Sequence, residues 1–426
     1  MSSTTQLLIL GNGFDRQCGL DSHYEAFFRR TILDTIGERF DLCQMQAGVS
    51  GFWETMLFVY YTVYKNTDYK WSDVETIIND ILCAISFGSH QAGTNLMYGL
   101  WNEAIKCIVH KQDPEEWAKS LTNLIDCNLF MYCYSFYLPF SSQTNFASNP
   151  GNLQKLLNHL LQELHGFEKR FCKYLKDNLV NPENAKQLNT KYIVNAVNLL
   201  AKLTGFTDKS FDSLNNIIST EQKLFEEKIS ETSAACGVKP TNVLSKPFTN
   251  LKNTHILSFN YTSLFDLLEV DSPCLYSNVH GKLCNRHCSN DCSTSNIIFG
   301  IDDNLIQLDN SCSELRIFSK TYRKMYDTHT PTSILPPNNV PLTIMFYGHS
   351  LSQADYSYFQ SIFDYYDLYS NSKVSLIFYY SEGYEQTDAI YRLINSYGTS
   401  LSNREQGKNL MHKLLLENRL KIEKVS

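Results

Sequence analysis

Leu7-Leu8-Ile9-Leu10-Gly11-Asn12-Gly13-Phe14-Asp15, continued by Gly19-Leu20 and Tyr24, is the stretch from which the fold is read. Four apolar residues stop at a glycine-flanked turn, and the residues beyond it have helical spacing. That succession predicts a buried parallel strand feeding the N-terminus of a helix. Glycines let the backbone of such a turn approach a ligand closely, while exposed N–H groups and the helix dipole favour an anion. The expected ligand is a nucleotide, held by Gly11, Asn12, Gly13, Phe14, Asp15 and Tyr24.

The strand signature returns at His255–Tyr261, Asn296–Ile301, Leu342–Tyr347 and Val374–Tyr380, each an apolar run closed by a polar or glycine turn. Gln353–Tyr366 and Tyr384–Tyr397 supply the crossover helices that parallel strands require. Arg404–Leu416 reads as a further helix, and Arg419–Val425 alternates like an edge strand. The intervening chain has helical periodicity at Ser22–Ile36, Trp71–Ile85, Asn152–Leu179 and Tyr192–Leu203. The expected fold is α/β, with a Rossmann-like, mostly parallel sheet built from residues 1–30 and 251–426 and a large helical insertion over residues 31–250.

Composition narrows the partners. The 426 residues carry a net charge of −7 with 19% charged side chains, which leaves no basic footprint for nucleic acid and no polybasic stretch for an anionic membrane. The apolar stretches Phe52–Tyr64 and Phe130–Phe140 are interrupted by Glu54 and Pro139, and both fall short of the roughly 20 residues that span a bilayer. Leu7–Leu10 is too short for a signal-peptide core and has no basic flank, so a cytoplasmic location is expected. The 13 cysteines are odd in number and scattered, which points to reduced thiols rather than a disulfide framework. Cys284, His287, Cys288 and Cys292 offer four soft ligands in nine residues. Their spacing is poor for tetrahedral zinc, so they are read as loop thiols and no metal is assigned.

Ligands of open α/β sheets bind beyond the carboxyl ends of the strands. The segments to examine are therefore the Gly11–Asp15 turn, Asn260-Tyr261-Thr262, Gly348-His349-Ser350-Leu351, and the stretch Asn278-Val279-His280-Gly281 that precedes the expected Ile297 strand. Asn260 reads either as a cap of a strand-to-helix junction or as an amide holding a ribose hydroxyl or a water. His280 reads either as a satisfied loop histidine or as a general base for a sugar hydroxyl or water. Gly348 and Ser350 join the ligand-holding set; Glu75 reads as a solvated helix residue.

With these motifs in order, the chain resembles the AbiH family of bacterial abortive-infection proteins. The resemblance rests on Leu10–Asp15 with Gly19, Leu20 and Tyr24, on Trp71–Glu75, on Phe167-Glu168 with Tyr174-Leu175, and on Phe259–Thr262. It continues through His280-Gly281, Phe299–Asp302, and Gly348–Leu351 with Asp355. It implies defence against phage by arrest of the infected host.

The same landmarks resemble, more distantly, the sirtuin NAD-binding fold. The sirtuin pattern Gly-Ala-Gly-Ile-Ser…Gly-Ile-Pro falls on Gly11–Asp15…Gly19–Asp21, Thr-Gln-Asn-Ile-Asp on Ser258–Thr262, His-Gly on His280-Gly281, Phe-Gly on Phe299-Gly300 and Gly-Thr-Ser-Leu on Gly348–Leu351. That resemblance implies NAD hydrolysis to ADP-ribose and nicotinamide, with Asn260 and His280 as the catalytic pair and NAD as the substrate. There are departures. Thr262 stands where the motif has aspartate, Asp15 faces an expected phosphate unless it addresses a ribose hydroxyl, and about 15 residues separate Gly281 from Ile297. That is too little chain for a zinc ribbon and its acyl-lysine groove, so deacylation is disfavoured. The expected function is an NAD-hydrolysing abortive-infection effector, controlled by self-assembly or by a sensor or ATPase partner. The alternative is a non-catalytic module that binds NAD, ADP-ribose or a related nucleotide and reports it to a partner.

Overall fold

A computed structural model of the chain describes residues 5–33, 53–54, 57, 74–75, 77–79, 82, 150–181, 184–188, 190–205, 253–268, 274–283, 296–302, 315–325, 333–381 and 386–425. The expected helical insertion falls largely outside these residues, as do Trp71 and the Cys284–Cys292 cluster. The chain divides into two compact units. The first comprises Met1–Ser22, Leu175–Ile297 and Thr328–Ser426; the second comprises His23–Tyr174 and Ile298–Asp327.

The first unit is organised by β1 (Thr5–Leu10), whose Leu-Leu-Ile-Leu core is fully buried. β1 pairs in parallel with β4 (Thr254–Ser258) on one side and β6 (Leu342–Tyr347) on the other. β5 (Leu275–Asn278) extends the sheet beyond β4, while β7 (Val374–Tyr380) and β8 (Leu420–Lys424) extend it beyond β6. The six strands are all parallel in the order β5-β4-β1-β6-β7-β8. Chain order therefore runs outward from β1 in one direction and then outward in the other. Short antiparallel β2 (Val180–Asn181) and β3 (Asn184–Leu188) form a separate two-stranded sheet.

Successive side chains of a strand point to opposite faces. Leu7 and Ile9 of β1 accordingly join a core cluster with residues of α7 (Tyr356–Tyr365), α8 (Thr387–Ser400) and α9 (Arg404–Leu416). On the alternate positions Leu10 and Ile256 meet Tyr192 and Leu200 of α4 (Thr190–Thr204), together with Leu264 and Phe265 of α5 (Leu264–Leu268). Apolar side chains thus cover both faces of the central strands, which is the condition under which parallel strands read as continuous apolar runs.

The second unit contains α2 (Tyr24–Phe28), most of α3 (Pro150–Leu179), and α6 (Lys320–Lys324). Its core is aromatic. Phe27 packs edge-on against Phe167, Phe171 and Tyr174, and Phe299 meets Tyr24, Phe167 and Phe171 at centroid separations of 5.2, 5.4 and 5.3 Å. Glu168 is 6% exposed and accepts hydrogen bonds from the Phe299 N–H at 2.7 Å and from Nη1 and Nη2 of Arg323 at 2.7 and 2.9 Å. Glu75, expected to be solvated, instead pairs at 2.6 Å with Lys320, which is 2% exposed. A cation so buried requires a partner carboxylate.

One expected strand is corrected. Residues 296–300 of Asn296–Ile301 carry no regular structure, and only Ile301 makes a single parallel bridge, to Ser319. The sheet position is taken by β5 instead. Among the described residues no helix is long and apolar enough to cross a membrane.

Candidate functional site

Four strand ends lie side by side because the backbone ladder continues one step past each strand. Gly11 N–H donates to Tyr347 O at 3.0 Å, Phe259 N–H to Leu10 O at 2.8 Å, and Val279 N–H to Ser258 O at 2.7 Å. The side chains that follow, on the Gly11–Asp15 turn, at Asn260, at His280 and at His349, are thereby gathered along one carboxyl edge of the sheet.

The turn after β1 is locked against the turn after β6. Gly13 N–H donates to Gly348 O at 2.7 Å and Phe14 N–H to Gly11 O at 2.9 Å. A Cβ on Gly11 would lie 2.3 Å from the His349 Cα, and one on Gly13 2.6 Å from the Gly348 Cα. The close approach that these glycines permit is thus between two backbones. α1 (Gly13–Gln17) begins inside this contact, so the N–H groups of Gly11, Gly13 and Phe14 are engaged within the protein. Asn12 accepts a hydrogen bond from Ser22 Oγ, Gly348 is half-buried, and Ser350 is exposed. Tyr24 belongs to the aromatic core of the second unit.

Asp15, 1% exposed, is the hub of a polar cluster within the first unit. Its Oδ1 accepts from the Tyr192 hydroxyl at 2.9 Å and its Oδ2 from the Thr262 hydroxyl at 2.6 Å. Thr262 is thus a hydrogen-bond partner of Asp15, 247 residues away in sequence. Asn260 lines the same cavity as Asp15, Thr262, Tyr192 and Tyr276. Its main-chain oxygen accepts from Asn278 Nδ2 at 2.7 Å, whereas its buried side-chain Oδ1 has no hydrogen-bond partner among the described residues. The space open to a water-sized sphere is about 10 Å³, on the order of one water molecule.

Burial lifts the Asp15 carboxyl from 3.8 to about 6, against the opposing pull of hydrogen bonds from Thr262, Tyr192 and Ser22. In the unfolded chain the group titrates near pH 4, so folding takes up a proton between about pH 4 and 6. The associated stability is fully present below pH 4 and is lost as the pH rises through 6, by on the order of 3 kcal/mol. Asp15→Asn keeps the shape and removes the titration. Its urea midpoint should vary less than that of wild type between pH 4 and 6.5; superimposable profiles would assign the dependence to another group.

A second cluster forms around His280, which follows β5. His280 is 4% exposed, and its Nε2 lies 2.8 Å from Oδ1 of Asp355. The other carboxylate oxygen, Oδ2, lies 3.4 Å from Nε2 of His349. Phe259 stands edge-on to both imidazoles, with centroid separations of 5.3 and 4.5 Å, and Tyr358 stands 5.6 Å from His280. The structure therefore brings Asn260 together with Asp15, and His280 together with Asp355 and His349, as two clusters at neighbouring strand ends. Asp355 and His349 carried no assigned role in the sequence. Asp355 entered the sequence reading only as a landmark of the AbiH resemblance, within the helix expected over Gln353–Tyr366, and Tyr192 gave no signal of its partnership with Asp15. Among the described residues no group of three or more His, Cys, Asp or Glu is placed to hold a metal.

A family model described as bacteriophage abortive infection AbiH matches residues 7–380. No curated protein and no solved structure matched the chain.

Proposed function

Because the chain belongs to the AbiH family of bacteriophage abortive-infection proteins, we propose that it serves that response by hydrolysing NAD to ADP-ribose and nicotinamide. The observation that carries this reading is the contact between His280 and Asp355 at the carboxyl edge of an all-parallel sheet. Numbered in chain order, the six strands run 3-2-1-4-5-6, the order of doubly wound dinucleotide-binding sheets, whose ligands lie where the order reverses. That point here is β1, flanked by the Gly11–Asp15 and Gly348–Ser350 turns. The resemblance of those turns, of Asn260 and of His280 to the sirtuin pattern supports NAD as the dinucleotide.

In the proposed reaction the bond between the ribose anomeric carbon and nicotinamide breaks, and the bonding pair leaves with nicotinamide. Water forms the new bond to that carbon and gives up one proton. His280 accepts a proton from the water or a ribose hydroxyl and later releases it to solvent. Asn260 offers its unsatisfied Oδ1 to such a hydroxyl. The interlocked turns form a rigid floor, and orientation with exclusion of water supplies much of the rate. Turnover would be toxic to the host, so control by a second copy, a sensor or an ATPase partner belongs to the proposal.

A second reading follows from the burial of the same residues. Asn260, His280, His349 and Asp355 are each under a tenth exposed, as they would be in a nucleotide-binding sensor whose polar clusters only support the fold. Purified protein incubated with NAD, with nicotinamide release followed by chromatography, separates the two. His280→Ala should reduce turnover by about 10²–10⁴-fold. Equal turnover by wild type and variant would overturn the base assignment. Heat stabilisation by NAD without nicotinamide release would favour the sensor.

A further inference from the structure

Leu351 is one of the described non-glycine residues held at positive φ, at 54°. Backbone in this region costs a branched residue on the order of 1–2 kcal/mol. The conformation aims the Leu351 N–H at Nδ1 of His349, 2.9 Å away. Nδ1 of His349 therefore accepts, and in the neutral ring the proton lies on Nε2, the nitrogen facing Asp355. Asp355 itself occupies the N-cap of α7 but makes no side-chain capping bond. An aspartate there ordinarily accepts from the first helical N–H groups; this one reaches the two imidazoles instead.

We propose that Asp355 and His349 are positioning residues that hold neutral His280 in a single tautomer, with its proton on Nε2 and its lone pair on Nδ1, which makes Nδ1 the atom that takes up a proton. A carboxyl group is a much stronger acid than an imidazolium. The proton between Asp355 Oδ1 and His280 Nε2 accordingly stays on the ring, and the neutral ring presents Nδ1 as its acceptor. The second carboxylate oxygen faces the Nε2–H of His349, so Asp355 meets an N–H on either side. Phe259, edge-on to both rings, limits their rotation. When Nδ1 takes a proton from water or a ribose hydroxyl, the imidazolium formed is stabilised through Nε2–H by the Asp355 carboxylate. Because Nδ1 is itself buried, the proton then leaves it by way of the bound ligand or a water that enters with it.

The use of that proton rests on the hydrolytic reading above; the tautomer does not. Long-range nitrogen–proton correlation spectra of protein labelled with nitrogen-15 histidine, assigned with His280→Gln, report the tautomer of the wild-type chain directly. A protonated Nε2 and an unprotonated Nδ1 in the neutral ring are expected, and the opposite tautomer or a mixture would overturn the proposal. In Asp355→Asn, which keeps the size of the side chain, both tautomers should appear. NAD turnover should then fall on the order of 10²-fold in kcat, with KM and the thermal midpoint close to wild type. An unchanged kcat in this variant, with wild type active, would overturn the positioning role and leave the hydrolytic reading standing. An inactive wild type would count against hydrolysis, and the spectra alone would then decide the tautomer.

Discussion

Gly348→Ala is expected to lower the thermal midpoint by roughly 10 °C, the equivalent of about 4 kcal/mol in a domain of this kind. Two effects add. Gly348 sits at φ 68°, where a Cβ costs on the order of 1–2 kcal/mol. That Cβ would also lie 2.5 Å from Phe14 N and 2.7 Å from Gly13 C. Both are main-chain atoms, so relief requires the two central turns to separate and to weaken the 2.7 Å bond from Gly13 N–H to Gly348 O. Gly19→Ala is the control. Gly19 has φ 91°, and a methyl group there would meet nothing within 4 Å, so this variant carries the conformational cost alone. Thermal unfolding of both variants checks the prediction, and equal losses would mean that the contact between the turns yields without strain.

Glu168→Ala is expected to destabilise the second unit by about 3–5 kcal/mol, as for other buried ion pairs deprived of one partner. The substitution removes the acceptor for the Phe299 N–H and for both terminal nitrogens of Arg323. It leaves a guanidinium that is 10% exposed without its carboxylate. Burial pushes the Glu168 carboxyl up, and Arg323 offsets only part of that effect. The pair is therefore costly to bury but costlier to break. In a double-mutant cycle, Glu168→Leu with Arg323→Met should recover most of the loss caused by either single change. Additive losses would show that Glu168 and Arg323 act independently.

How much of this was legible in the sequence depended on whether a residue's role is local. The runs at β1, β4 and β6 declare themselves because strands covered on both faces are continuously apolar, and β7 does so although only one of its faces is fully buried. Helix α9 is found at its expected bounds, and β8 within the expected edge strand. β5 escaped notice because Leu-Tyr-Ser-Asn has a single aliphatic residue, and that residue, Leu275, is 41% exposed at the sheet edge. Asn296–Ile301 misled for the converse reason. Its Phe299 is buried among the aromatic rings of Tyr24, Phe167 and Phe171, and apolar periodicity does not distinguish that from burial in a sheet.

The candidate site was legible in its positions and not in its partnerships. Asn260 could be singled out because it follows an apolar run, and His280 because a glycine adjoins it in a polar stretch before the expected Ile297 strand. The bond from Tyr192 to Asp15 spans 177 residues, and the one from His280 to Asp355 spans 75. Neither leaves a local pattern. Asp355 was the harder residue to see, since the helix expected over Gln353–Tyr366 placed it inside a helix rather than ahead of one.

The central position of β1 also sets the timetable of synthesis. Gln6 pairs with Thr254 and Thr5 with Leu342, so the strand at the middle of the sheet is translated long before either neighbour. At about 5–20 residues per second, roughly 10–50 s pass before β4 follows it from the ribosome. Contacts this distant in sequence also form slowly. During that interval the apolar strand lacks both of its native neighbours, the kind of exposure that favours aggregation. His280 meets Asp355 later still. A chain whose translation stops just before residue 355 has β1, β4, β5 and β6 but lacks β7, β8 and the Asp355 that His280 meets.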